Sequence, residues 1–156
     1  MKCKRILVTF LIVSLLAALS LCSTVFAGNT TEFLDGSGTQ ADPYLIADSA
    51  HLQNVKNYPS ACFKLVKDLS VSNMGLTTFT GTFDGGGHTL SGLTKPFATT
   101  LSGTVKNLTL FGNVTGGLFA QTVSAAGEVI GCRSVGTVTG TAAGGIASTN
   151  KGTITL

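Results

Sequence analysis

GTVKNLTLFGNVTG (Gly103–Gly116) and GEVIGCRSVGTVTG (Gly127–Gly140) decide how this chain is read. Aligned from Gly103 and Gly127, six of their 14 positions are identical. The identities are Gly103/Gly127, Val105/Val129, Gly112/Gly136, Val114/Val138, Thr115/Thr139 and Gly116/Gly140. A short period that keeps its glycines and its alternating apolar residues marks a stack of supersecondary units.

Working outward, the period extends in both directions. Pro96-Phe97-Ala98 aligns with Leu118-Phe119-Ala120 and then with Ile146-Ala147-Ser148, the second step being the longer. Val105, Val129 and Ile154 form a second column, Leu108 and Cys132 a third, Phe111 and Val135 a fourth, and Val114 and Val138 a fifth. Strands hold their register while turns absorb insertions, such as the extra residues around Thr141-Ala142-Ala143.

Each unit holds about three short strands separated by glycine, and a single unit cannot bury its own apolar face. Stacking the next unit sets like residues above like residues about 4.8 Å apart, so that the columns of Val, Leu, Phe and Ile, Phe111/Val135 among them, are expected to fill a continuous core. The expectation is an all-β chain, a right-handed parallel β-helix with a short N-terminal helix, incomplete at the C-terminus. A propeller blade needs a longer period, about 40–50 residues, and a sandwich does not keep turns in columns. The Leu108/Cys132 column would next fall at position 157, so the last coil is expected to be cut in mid-turn.

Residues 1–27 read as a secretory signal peptide. Lys2, Lys4 and Arg5 form its positive start, Ile6–Leu21 its apolar stretch, and Val25 and Ala27 the small residues before a cut at Gly28. The apolar stretch is short for a membrane span of about 20 residues. The large Leu21 argues against lipidation at Cys22. Removing this segment takes three of the ten basic residues and leaves seven against seven acids, with no net charge. Basic binding to nucleic acid loses its support. The chain is expected to be secreted or at the cell surface, and not an integral membrane protein after cleavage.

Residues 28–94 are read as the start of the β-helix, with a short helix near 49–57, and 95–156 as its repetitive coils. Asp48 or Ser49 can cap the helix, Leu52 and Val55 face the core, and Pro59 ends the element. Tyr44-Leu45-Ile46 starts a strand. Phe63, Leu65, Leu69 and Val71 share a face that Lys67 interrupts, which places a bulge or bend near Asp68. Asp84-Gly85-Gly86-Gly87 is a turn.

The string GGLFAQTVSAAGEVIGCRSVGTVTG (Gly116–Gly140) resembles the GLUG repeat of bacterial surface proteins. Gly145–Ile154 resembles the opening of a further copy. GSGTQADPYLIADSAHLQNV (Gly36–Val55) and FTGTFDGGGHTLSGL (Phe79–Leu93) are similar to the segments that precede such repeats in secreted β-helix proteins. The resemblance implies a pectin-lyase-like parallel β-helix. The family includes adhesin-like proteins and non-catalytic N-terminal regions of some secreted immunoglobulin A proteases. Its motif carries no catalytic residue. Ala147 stands where the motif more usually has an aromatic residue or Val.

The search for chemistry returns little. Polysaccharide hydrolysis needs paired carboxylates, and from Lys95 to Leu156 the one acid is Glu128. Lys106, Arg133 and Lys151 share no repeat column. Asp68 and Asp84 form a conceivable pair, with Asp84 read first as a turn residue. Asp35-x-Ser37-x-Thr39 opens like a calcium loop, but its twelfth position is Ile46 rather than an acid. His51 and His88 have no ligand spacing and read as surface or rung residues. Cys62 and Cys132 could oxidise in an exported chain, and read more simply as buried small apolar residues. No catalytic, cofactor-binding or metal-ligating residue is assigned, and no cofactor is expected. The function expected is a non-enzymatic surface module, adhesin-like or a spacer, with a host or cell-surface glycan or a protein as the open choices of partner. The rival is an N-terminal fragment of a larger secreted enzyme.

Overall fold

The computed structural model describes residues 32–156, so the segment read as a signal peptide lies outside the described residues. Three parallel sheets wind around one apolar core, giving a parallel β-helix. The first sheet holds β1 (Tyr44–Ile46), β2 (Cys62–Leu65), β5 (Thr82–Asp84), β8 (Thr104–Lys106), β11 (Glu128–Ile130) and β14 (Thr153–Thr155). The second holds β3 (Leu69–Ser70), β6 (Thr89–Leu93), β9 (Thr109–Gly117) and β12 (Arg133–Gly144). The third holds β4 (Leu76–Phe79), β7 (Ala98–Leu101), β10 (Ala120–Val123) and β13 (Ala147–Asn150). Residues before and after 95 contribute to the same three sheets, so the described chain is one continuous stack.

Register makes the core columns explicit. Tyr44, Phe63, Phe83, Val105, Val129 and Ile154 stand in line up the first sheet. Phe79, Leu101, Val123 and Asn150 line up in the third. The coils lengthen along the chain. The steps from Tyr44 to Phe63 and from Phe63 to Phe83 are the shortest, and the step from Val129 to Ile154 is the longest. Bulky rings fill the tighter N-terminal coils. Phe83 meets Phe97 edge-on at 5.2 Å and Phe79 meets Phe97 at 5.7 Å, both T-shaped. Such pairs add about 0.5–1.5 kcal/mol beyond area burial.

The N-terminal end of the stack is capped. Helix α1 (Ser49–Asn54) starts where the Asp48 carboxylate accepts the His51 N–H at 2.8 Å. It runs into a single 3-10 turn, Val55–Asn57. Leu52 and Val55 are fully buried, as their spacing predicts. Phe33 stacks on Tyr44 at 4.3 Å and covers the first rung. His51 differs from expectation: it is buried in this cap, where its Nδ1 accepts the Ala47 N–H at 3.3 Å. No helix among the described residues is long and apolar enough to cross a membrane.

Two columns need correction. Ala147, not Ser148, pairs with Ala120, and Ile146 takes the position of Phe119. The large apolar residue at this level of the stack is therefore Ile146. Phe111 and Val135 are in register as expected, but they point outward, and Phe111 is 49% exposed. Leu110 is the inward residue, continuing a column of Leu69 and Leu90 that ends on Ser134. The bend near Asp68 is the corner between β2 and β3.

Glycine sets how closely the coils approach. Gly81, Gly103, Gly127 and Gly152 each precede a strand of the first sheet. A Cβ on Gly103 would lie 2.1 Å from the Gly81 carbonyl oxygen, and one on Gly152 2.2 Å from that of Gly127. None of the four has positive φ, so the demand is for space rather than for an unusual backbone. A Cβ on Gly145 would have nothing within 4 Å. Gly103→Ala is expected to cost about 1–3 kcal/mol, the usual penalty of overpacking. Gly145→Ala should change stability by less than about 0.5 kcal/mol. Urea denaturation of both variants checks this, and equal losses would contradict the close-stacking account.

Candidate functional site

The polar groups gather in two places. The first is the corner between the first and second sheets. Asp84 ends β5, in register with Lys106 on the next rung. Its Oδ1 accepts the Gly86 N–H at 2.9 Å and the Asn107 side-chain amide at 3.2 Å, and its Oδ2 lies 3.4 Å from Lys106 Nζ. Gly86 and Gly87 take φ of 59° and 82°, the left-handed turn that Asp-Gly-Gly-Gly predicts. Asn107 holds φ of 51°, the only non-glycine residue with positive φ among the described residues. Asn tolerates that region better than most side chains. Its counterpart in the next repeat is Gly131, which takes φ of 57° at the same corner.

Asp68 and Asp84 lie at the same corner on neighbouring coils and take different partners. Asp68 Oδ1 accepts the Thr89 N–H at 2.9 Å and sits 3.3 Å from His88 Nδ1. Each carboxylate accepts a backbone N–H, Asp84 from Gly86 in its own turn and Asp68 from Thr89 on the next coil. Glu128, the acid of the repeats, accepts the Thr104 hydroxyl at 3.1 Å. In the Asp35 segment, Asp35 accepts the Gly36 N–H, while Ser37, Thr39 and Asp42 bond among themselves. Among the described residues, no three His, Cys, Asp or Glu side chains converge as metal ligands.

Among the described residues, Cys62 and Cys132 are both free thiols. Cys132 is buried, as read from the sequence, and Cys62 is half-buried on the outward side of β2. Burial pushes the Cys132 thiol up from its ordinary pKa, against backbone hydrogen bonds that pull it down. A thiol held protonated is a poor nucleophile.

The second place is the outer surface of the third sheet. Thr78, Thr100, Thr122 and Thr149 stand in register across four strands. Beside them run Thr77, Thr99, Gln121 and Ser148. The strand sequences LTTF, ATTL, AQTV and ASTN contain no charged residue. Two depressions lie along this surface. One, of about 240 Å³, is bordered by Asn73, Gly75, Lys95 and Pro96, with Thr77, Thr99 and Gln121 lining it. The other, of about 280 Å³, lies between Gln121, Thr122, Ser148 and Thr149 and the strand segments Thr115–Gly116 and Gly140–Ala142. Gln121 belongs to both. This rank of hydroxyls was missed in the sequence, where its members are unevenly spaced.

The corner carboxylates carry a pH signature. For Asp84, partial burial pushes the pKa up, but the Gly86 N–H, the Asn107 amide and the Lys106 ammonium outweigh it and hold the carboxyl below its usual value. The Asp48 pKa is lowered mainly by the His51 N–H. A carboxyl whose folded pKa lies below its unfolded one stabilises the fold above the ordinary Asp range, and that contribution is lost as pH falls through the folded value. The unfolding midpoint should therefore drop on acidification below about pH 4, near the unperturbed Asp value. Asp84→Asn should flatten the drop in thermal melts taken across that range. An unchanged acid limb would remove Asp84 from this role.

Comparison of the chain with protein-family models, with curated proteins and with solved structures finds no match, so its fold rests on its own register and its site on its own geometry.

Proposed function

We propose that this chain is an exported, non-enzymatic β-helix module of the cell surface, adhesin-like or a rigid spacer. The observation that carries the reading is the use made of the acids. Asp48 caps a helix, Asp68 and Asp84 fix corners, and Glu128 ties one coil to the next. Carboxylates bound in this way serve the stack, whereas glycoside hydrolysis needs two of them facing one bond. The signal-type sequence of residues 1–27 supports export, and the likeness of Gly116–Gly140 to the GLUG repeat supports a surface role. A parallel β-helix suits such work because each coil contacts only its neighbours, and length is set by the number of coils.

The reading makes two demands. Expressed in a bacterial host, the chain should reach the cell surface or the medium with Gly28 as its first residue, as mass spectrometry of the intact protein would show. The purified protein should release no reducing ends or unsaturated products from a panel of polysaccharides, and no fragments from a casein substrate. Retention in the cytoplasm with residues 1–27 intact would overturn export. Turnover of any of these substrates would favour a piece of a larger enzyme.

A further inference from the structure

We infer that the groove along the third sheet binds an extended, uncharged polysaccharide, laid parallel to the axis of the β-helix. This rests on the surface-module reading and supplies its ligand class. The two depressions meet at Gln121 and together cross the strands from β4 to β13. A ligand filling both must run across the strands, and so along the stacking axis. Consecutive strands in a sheet are about 4.8 Å apart. That step is comparable to the advance of one sugar in an extended β-linked glycan. Each rung can thus face one sugar with a pair of hydroxyl or amide groups.

The groups on offer suit hydroxyls. Thr77, Thr99, Gln121 and Ser148 form one outward rank and Thr78, Thr100, Thr122 and Thr149 the other. Among the described residues none of these eight side chains hydrogen-bonds within the protein, whereas Thr80, Thr94 and Thr104 elsewhere do, and Thr115 at the edge of the second depression bonds Thr139. A hydroxyl both donates and accepts, and a primary amide does both at once. Such a surface matches a polymer whose own groups are hydroxyls. Lys95 is the one charged residue lining either depression. An anionic polymer would find no row of cations here, and a cationic one no acids. The apolar lining of the groove is limited to Leu76, Pro96 and Ala142, and it holds no aromatic ring of the kind that concentrates binding energy at protein interfaces. That places a protein partner behind a neutral glycan.

The test uses the protein expressed from the full sequence. Retention is measured on insoluble cellulose, chitin and β-1,3-glucan, and by affinity electrophoresis in xylan and glucomannan gels. At least one neutral glycan should retain the chain. The triple variant Thr99→Ala, Gln121→Ala, Thr122→Ala should weaken that retention at least tenfold with an unchanged circular dichroism spectrum. Thr137→Ala, on the outer side of the second sheet, should leave it intact. Should the triple variant misfold, Gln121→Arg, which fills the junction of the two depressions, serves in its place with the same expectation. Retention by none of these glycans, retention only on polygalacturonate, or retention indifferent to the groove variants would overturn the inference. A chain found at the cell surface but held by no glycan defeats this inference and leaves the surface-module reading standing. Groove-dependent retention of a chain that stays in the cytoplasm does the reverse.

Discussion

The stack depends on the absence of a side chain at one corner of each coil from Gly81 onward. At Gly81, Gly103, Gly127 and Gly152 the backbone of the preceding coil occupies the space that a Cβ would need. With that space open, neighbouring strands reach hydrogen-bonding distance and the columns close. The Thr82 N–H then donates to the Ala61 carbonyl, that of Thr104 to Gly81, that of Glu128 to Gly103 and that of Thr153 to Gly127. From Gly81 onward the same glycines thus admit the next coil and accept its first bond. Everything in the core follows from that repeated approach: once one strand is in register, every residue of its coil has a fixed neighbour above and below.

Core composition then tracks coil length. In the first-sheet column the short early coils carry rings, with the centroids of Phe63 and Phe83 6.2 Å apart, while the longer late coils carry Val129 and Ile154. The outward residues divide by sheet. The corner of the first and second sheets is held by an ion pair and polar contacts, through Asp84 with Lys106 and Asn107 and through Asp68 with His88. The strands of the third sheet carry no charge, and their hydroxyls face solvent unengaged. Structural and binding polarity are therefore separated in space on one small rod.

Much of this was legible in the sequence, and the residues show why the rest was not. Gly103 and Gly127 frame Val105 and Val129 so tightly that register, turn and core direction follow from two lines of sequence. Asp48, Leu52 and Val55 announce the cap through a short-range rule. The phase slipped by one position at Ala147 because the register itself shifts between Thr139 and Gly144, where a run of small residues offers no landmark. Phe111 and Val135 misled because alternation separates two faces of a strand without saying which faces inward; that Leu110 continues Leu69 and Leu90 is known only once the coils are stacked. His51 could not be placed because its burial depends on Phe33 and the first rung. The threonine rank escaped for a similar reason: the step from Thr122 to Thr149 is longer than those from Thr78 to Thr100 and from Thr100 to Thr122, and the series looks irregular until the strands are paired.

In-register parallel stacking is the claim on which the columns, the glycine corner and the groove all rest. The most direct measurement is nuclear Overhauser contacts between backbone protons in an isotope-labelled sample. Val105 should show parallel-type amide-to-Hα contacts with residues flanking Val129, and Val129 with those flanking Ile154, with no close Hα–Hα pairs across these strands. Close Hα–Hα contacts, the mark of antiparallel pairing, or a register displaced from Val105–Val129–Ile154, would contradict it.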